Sequence, residues 1–180
     1  MKTNKLLVVL ISLFFISAGS YGYAQNEKKH NRKHARKEMR LNNYEKVKEI
    51  IESRNFIFNA ERAFPTGMRS LDLISNPGTL VVKNDSAKAD LPFFGRSYSS
   101  NYSGDAGIKF EGKIKNEKIE TNDKKYKVTY SFSVSDSNDS YDVSIVLSSP
   151  ESASVNINSR NKASISYSGE LKVKKEDKKD

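Results

Sequence analysis

Two histidines, His30 and His34, are the first residues of this chain whose spacing suggests chemistry. An i, i+4 pair lies on one face of a helix, which would be half of a metal site. The chain contains no cysteine to complete the site, and the nearby Glu27 and Glu38 stand among many cations that would repel a divalent ion. We therefore expect solvated histidines and neither a metal nor another cofactor.

Catalytic residues are also scarce in the rest of the chain. Residues 55–180 contain neither His nor Cys, so they cannot form a Ser-His-Asp or Cys-His arrangement. Paired carboxylates for glycoside cleavage remain an alternative, although most Asp and Glu residues fall in turns or at polar strand positions. The sequence favours a non-catalytic protein, and a hydrolase is the alternative.

One stretch rich in aromatic residues, LPFFGRSYSSNYSGDAGIKF at 91–110, is a candidate binding site. Its candidate site residues are Phe93, Phe94, Arg96, Tyr98 and Tyr102. In one interpretation the two phenylalanines close one end of the core, while Arg96 pairs with a carboxylate such as Asp90 or Asp105. In the other interpretation the stretch forms a pocket rim, where the arginine and the tyrosines meet an anionic or sugar-like ligand.

Alternating apolar and polar residues predict the elements that would position this stretch. Residues 125–134, KYKVTYSFSV, alternate throughout, and the same period of two recurs at 56–61, 108–114, 141–147, 153–157 and 165–173. Strands of this kind bury one face, which is typical of antiparallel sheets. With shorter pieces at 71–74, 80–83 and 86–91, the pattern predicts about eight antiparallel strands in a barrel-like or strongly curved sheet. A two-sheet β-sandwich is the alternative.

Four tyrosines on the inward rows of this predicted sheet extend the candidate site: Tyr126, Tyr130, Tyr141 and Tyr167. A buried tyrosine hydroxyl needs a hydrogen-bond partner, which an entirely apolar core cannot supply. Either these hydroxyls reach the ends of the barrel, or they line a hydrated cavity that could hold a small amphipathic or anionic ligand.

A basic leader and a helix precede the predicted sheet. Residues 25–54 hold ten Lys and Arg against five Asp and Glu, whereas residues 55–171 hold 14 of each. Apolar residues at helical spacing from Leu41 to Ile51 predict one amphipathic helix at about 38–54. We expect a charged disordered tail at 174–180. Because the basicity lies at the chain ends, we expect no nucleic-acid partner; weak attraction to anionic lipid or polysaccharide is the alternative to solvated termini.

Residues 1–24 show the three-part pattern of a secretory signal peptide. Lys2 and Lys5 precede an apolar run at 6–16, which is too short for the roughly 20 residues that span a bilayer, and small residues lead to Ala24. We expect cleavage before Gln25 and no transmembrane span afterwards. Without cysteine the chain has no lipobox, so the sequence predicts a soluble periplasmic or secreted protein with one β domain at 55–173.

Three short motifs carry a family resemblance. LPFFGRSY at 91–98, Ile108-Lys109-Phe110, and ISYSG at 165–169 resemble the domain-of-unknown-function 4251 family of exported bacterial proteins. That family shows a Leu-Pro-Tyr-Phe-Gly-Arg-Ala-Tyr motif, so Phe93 and Ser97 depart from its pattern. The resemblance covers about residues 55–171. It implies an exported location and these domain limits, and it leaves the function open.

Taken together, the residues and the resemblance predict an exported, non-catalytic binding module of the bacterial envelope. We expect it to hold a small amphipathic or anionic ligand in a barrel-like cavity. The alternative is an envelope protein that contacts another protein or a surface polysaccharide without a small ligand. The sequence leaves the oligomeric state open.

Overall fold

The computed structural model describes residues 31–98, 107–136 and 139–174. The chain divides into two compact units between residues 39 and 40. A helix, α1, covers residues 31–52. The sequence predicts a helix at about 38–54, so the observed helix includes residues that the sequence assigns to a polar leader. Within the part of the chain that the structure describes, no helix has both the length and the apolar character needed to cross a membrane.

The described residues beyond α1 form ten strands. They are β1 (Asn55–Pro65), β2 (Leu71–Asp72), β3 (Gly78–Lys83), β4 (Ser86–Pro92), β5 (Gly107–Lys113), β6 (Lys115–Asn122), β7 (Lys127–Ser135), β8 (Ser140–Ser149), β9 (Ser152–Ser159) and β10 (Ile165–Val173). Sequence periodicity misses β6, because all eight of its residues are exposed and Ile119 is its single apolar residue. Without a buried face, a strand leaves no alternation to detect.

These strands build one antiparallel sheet in the order β5-β4-β3-β1-β10-β9-β8-β7-β6, with β2 paired to β1 alone. The last four strands form the meander that the turn-rich links predict. The first and last long strands also pair with each other, from Phe56 opposite Val173 to Pro65 opposite Ile165. This pairing joins the two ends of the chain's β region in the middle of the sheet.

The two outer strands of the sheet come together where β5 passes into β6. Ile114 links these strands, and its N–H donates to the carbonyl oxygen of Asp85 at 2.7 Å. A Cβ added to Gly112 in β5 would lie 3.1 Å from Cγ1 of Val134 in β7, so β5 lies against β7. The sheet is therefore nearly closed and barrel-shaped, which confirms the barrel-like prediction over the sandwich.

The inward face of the sheet holds the apolar core. In β7 the buried side chains are Val128, Tyr130, Phe132 and Val134, and the residues between them are partly exposed. Tyr44, Val47 and Ile51 of α1 belong to the same buried cluster. Each large side chain buried in this way contributes about 1.5–3 kcal/mol. The period of two in the sequence therefore identifies the main source of stability.

Gly169 permits a close approach between β10 and β1. A Cβ at this position would lie 1.9 Å from the carbonyl oxygen of Asn59, a distance that no side chain tolerates. The pairing register shifts beside it, between Ala60 and Arg62. A bulge with this little space requires glycine on the partner strand.

Candidate functional site

The segment that follows β4 is held in place by the link between β9 and β10. Ser97 and Lys162 form an antiparallel bridge. The N–H of Tyr98 donates to the carbonyl oxygen of Asn161 at 2.8 Å, and the N–H of Ala163 donates to that of Arg96 at 2.9 Å. We call residues 93–98 and 160–163 together the rim. The rim brings together two chain segments that are more than sixty residues apart.

The phenylalanines of the rim pack inward, in agreement with one of the two interpretations of the sequence. Phe93 and Phe94 are half-buried and pack against the core. The ammonium of Lys162 lies 5.7 Å from the centre of the Phe93 ring and donates to the carbonyl oxygen of Gly107. A Cβ at Gly95 would lie 2.8 Å from Cζ of Phe93, so the ring fills the space beside this glycine.

Arg96 and Tyr98 are the outward residues of the rim. Both are exposed, and Tyr98 exposes 70% of its surface. Because they flank the bridge residue Ser97 in extended backbone, their side chains point to the same side. Arg96 does not pair with Asp90. The Oδ1 atom of Asp90 lies 3.7 Å from Nζ of Lys109. The other expected partner, Asp105, and the candidate site residue Tyr102 both fall outside the described residues.

Two of the inward tyrosines bond to atoms near the ends of the sheet. Tyr130 and Tyr167 expose 0% of their surface. The hydroxyl of Tyr167 donates to the carbonyl oxygen of Pro92 at 2.8 Å, and that of Tyr130 donates to Oε1 of Glu117 at 2.8 Å. Burial raises the pKa of both phenols, and the Glu117 carboxylate raises the pKa of Tyr130 further. Each of these hydroxyls is satisfied by the protein itself.

Tyr141 has a weaker hydrogen bond in a similar setting. It is buried, and its hydroxyl donates to the carbonyl oxygen of Lys109 in β5 at 3.4 Å. Its ring packs against Phe110, with 4.8 Å between the ring centres. Burial, together with the carboxylates of Asp139 and Asp136, raises its pKa. This tyrosine helps to join the two outer parts of the sheet.

The sequence predicts Tyr126 as an inward residue of a strand. It lies in the turn just before β7 with a φ of 51°, and its half-buried side chain packs against the core. Its ring packs edge-to-face with the ring of Tyr44 in α1, with 5.9 Å between the ring centres, and the guanidinium of Arg40 lies 5.4 Å from the centre of the Tyr126 ring. The strand therefore begins at Lys127, later than the alternation in the sequence suggests, while Tyr126 still packs on the core side.

Several partners of the site residues leave no signal in the sequence. Lys162 looks like an ordinary turn residue, yet its ammonium caps the Phe93 ring. Glu117 sits in the strand that periodicity misses, where its carboxylate also lies 2.6 Å from Nη2 of Arg54. Tyr44 is expected as part of the helix stripe, and its hydroxyl donates to Oδ1 of Asp123 at 2.5 Å. All three contacts join residues distant in sequence, so local pattern could not reveal them.

The sequence predicts solvated histidines. His34 is exposed on α1, and His30 is outside the described residues. Among the residues that the structure describes, no group of three or more His, Cys, Asp or Glu side chains could hold a metal ion.

Comparison with known proteins assigns the chain to a family. The model of the family described as "Domain of unknown function (DUF4251)" matches residues 38–171. The chain belongs to the DUF4251 family. A crystal structure of a DUF4251 family protein from Bacteroides eggerthii is similar to it, with a TM-score of 0.59 and 20% identity over 73% of this chain and 87% of that one. At this identity the similarity shows the fold alone. No curated protein matches the chain.

The limits of the DUF4251 match agree with the structure. The match includes all of the rim and ends in β10, as the motifs predict. It begins at residue 38, within α1, whereas the motifs suggest a start near residue 55. The earlier start is consistent with the buried side chains that α1 contributes to the core.

Proposed function

We propose that this DUF4251 protein is an exported, non-catalytic binding module of the bacterial envelope, and that it binds an anionic, sugar-like surface polysaccharide at the rim. The observation that carries the proposal is the outward pair of Arg96 and Tyr98 on a segment anchored by backbone hydrogen bonds. A planar guanidinium next to an aromatic ring suits a ligand that presents carboxylate or sulfate groups on a sugar face.

The anchoring of the rim supports recognition by a rigid surface. Arg96 and Tyr98 have backbone hydrogen bonds to Ala163 and Asn161, and Phe93, which precedes them in the chain, packs against the core. A binding segment that is already ordered loses less conformational entropy when the ligand arrives. Arg160 adds a second exposed cation on the partner segment.

A small amphipathic ligand inside the sheet, which the sequence also suggests, has less support. Tyr130 and Tyr167 expose no surface, so their side chains border no space that a water molecule could enter. Their hydroxyls already donate to protein oxygens. An interior ligand would have to replace those hydrogen bonds.

Titration calorimetry with anionic oligosaccharides, both uronate-containing and sulfated, tests the proposal. Arg96→Ala removes a charged hydrogen bond of about 1.5–3 kcal/mol, so we expect binding about 10- to 150-fold weaker. Tyr98→Ala should also weaken binding, by loss of the ring. Lys127→Ala is the matched control. Lys127 is the exposed first residue of β7, whereas the turn next to the rim follows the last residue of that strand.

Three results would contradict this function. The first is equal loss of binding in Lys127→Ala and Arg96→Ala, which would indicate attraction by net charge alone. The second is unchanged affinity in Arg96→Ala. The third is capture of a hydrophobic fluorescent probe by the purified protein with no affinity for any anionic oligosaccharide, which would favour the interior ligand.

A further inference from the structure

The first described turns of α1 carry an exposed group of cations. Residues 31–38 are helical, and all of their side chains are exposed. Arg32, Lys33, Arg36 and Lys37 supply four positive charges in this stretch, against the single carboxylate of Glu38. The sequence predicts a solvated polar leader here, and the helix instead fixes the directions of its side chains.

The spacing of these four cations places them on one side of the helix. At about 100° per residue, positions i, i+1, i+4 and i+5 fall within an arc of about 140°. Glu38 and His34 fall outside that arc by the same geometry. We call Arg32, Lys33, Arg36 and Lys37 the cationic face.

The cationic face is not neutralised by the described protein. None of its four residues forms an ion pair with a described carboxylate, whereas Lys88, Lys118 and Lys172 of the sheet each have one. Four like charges within two helical turns repel one another, which is unfavourable unless an anionic partner is near. An exposed apolar residue of the same compact unit follows directly in the chain, because Met39 is 63% exposed.

We propose that the cationic face binds the anionic surface of a lipid bilayer. A helical segment that presents Lys and Arg with an exposed apolar side chain at its end has the composition of an interfacial helix, in which the charges meet lipid headgroups and the apolar group enters the boundary below them. A soluble polyanion would use the charges and leave Met39 exposed. The proposal uses residues other than those of the rim, and it does not depend on the proposed ligand of the rim.

The expected strength follows from the number of charges. Each Lys or Arg close to an anionic bilayer contributes about 1 kcal/mol, and this attraction is lost beyond a Debye length of about 8–10 Å. Removing two of the four cations should therefore weaken binding about 30-fold. Raising the salt concentration to about 1 M, where the Debye length is about 3 Å, should release the protein.

Vesicle sedimentation of the purified full chain provides the test. Vesicles containing phosphatidylglycerol should bind the protein at low salt, and vesicles of phosphatidylcholine alone should not. R36Q/K37Q should bind phosphatidylglycerol vesicles about 30-fold more weakly, while its circular dichroism stays unchanged because Gln is a good helix former. K124Q/K127Q is the matched control, because it removes the same charge from exposed positions around the start of β7 and should bind as the parent does.

Each other outcome overturns the proposal. Binding of R36Q/K37Q within threefold of the parent shows that the cationic face is not used. Equal weakening in K124Q/K127Q shows attraction by net charge. Retention of Arg96→Ala on an anionic polysaccharide resin that R36Q/K37Q loses, with no preference for phosphatidylglycerol over phosphatidylcholine, shows that a soluble polyanion is the partner of the cationic face. Arg96→Ala should bind vesicles as the parent does, which separates this surface from the rim.

Discussion

Tyr167 contacts the residue just before the rim, Tyr98 ends the first segment of the rim, and the two tyrosines have opposite surroundings. Tyr167 is fully buried, and its hydroxyl donates to the carbonyl oxygen of Pro92, just before the rim. Tyr98 lies at the other end of the same segment and exposes most of its surface. The same residue type therefore anchors the segment to the core at one position and remains available to a ligand at the other. This difference separates the residues that stabilise the rim from those that could recognise a partner.

The largest effect expected from this comparison is on stability. Tyr167→Ala removes a fully buried ring, and large aromatic-to-alanine changes in a core lower the free energy of unfolding by about 3–5 kcal/mol. Tyr98→Ala should change it by less than about 0.5 kcal/mol, because the ring is exposed. Urea denaturation of both variants measures the difference. Similar losses in the two variants would erase the distinction between an inner and an outer tyrosine.

The buried phenols should also make stability depend on pH at alkaline values. A tyrosine in the unfolded chain loses its proton near pH 10, and burial raises the pKa of Tyr167 above that value in the folded chain. Stability from this residue is complete below pH 10 and falls as pH rises towards the folded pKa, by at most about 1.4 kcal/mol per pH unit. Urea denaturation from pH 9 to 11 should show this decline.

Comparison of two variants isolates that contribution from the lysines, which titrate in the same range. Tyr167→Phe should flatten the alkaline decline relative to the parent protein. Tyr98→Phe should leave the decline unchanged. An identical pH profile for Tyr167→Phe and the parent would show that the phenol of Tyr167 is as accessible to solvent as that of Tyr98.

A smaller change tests the hydrogen bond alone. Tyr167→Phe keeps the ring and leaves the carbonyl oxygen of Pro92 without its donor. Loss of one neutral hydrogen bond at a buried site should lower the free energy of unfolding by about 1–2 kcal/mol at pH 7. Thermal and urea denaturation measure it. A smaller loss in the free energy of unfolding than that of Tyr98→Phe would mean that water replaces the hydroxyl without penalty. The inward face of the rim would then be accessible to water.

Sequence pattern predicts the fold where one face of a strand is buried. The alternation in β7 to β10 identifies the strands, and the short links identify the meander. The same reasoning fails for β6, whose eight residues are all exposed. At Tyr126 the alternation continues past the strand into a turn with positive φ, although the residue still packs against the core. Periodicity reports burial, so it is silent about an exposed strand and does not mark where a strand begins.

The candidate site is predictable only in part for a related reason. The composition of residues 91–98 identifies Arg96 and Tyr98 as candidate site residues, and both lie on the outward side of the rim. Lys162 and the carbonyl oxygen of Pro92 could not be identified, because their roles depend on which distant segments meet. Local chemistry can be read along the chain, whereas the pairing of 93–98 with 160–163 is a product of the whole sheet.

The smallest expected effect concerns Gly95, which lies in the chain between Tyr98 and Pro92, the residue that Tyr167 contacts. A Cβ at this position would come within 2.8 Å of Cζ of Phe93, and that atom is the far end of a half-buried ring that can turn aside. Gly95→Ala should therefore cost no more than about 1 kcal/mol in thermal denaturation. Affinity for an anionic oligosaccharide should fall in the same variant, because Gly95 directly precedes Arg96 and the displaced ring belongs to the same rim. A decrease of more than about 2 kcal/mol in the free energy of unfolding with unchanged affinity would show that Gly95 supports the core and has no role in recognition.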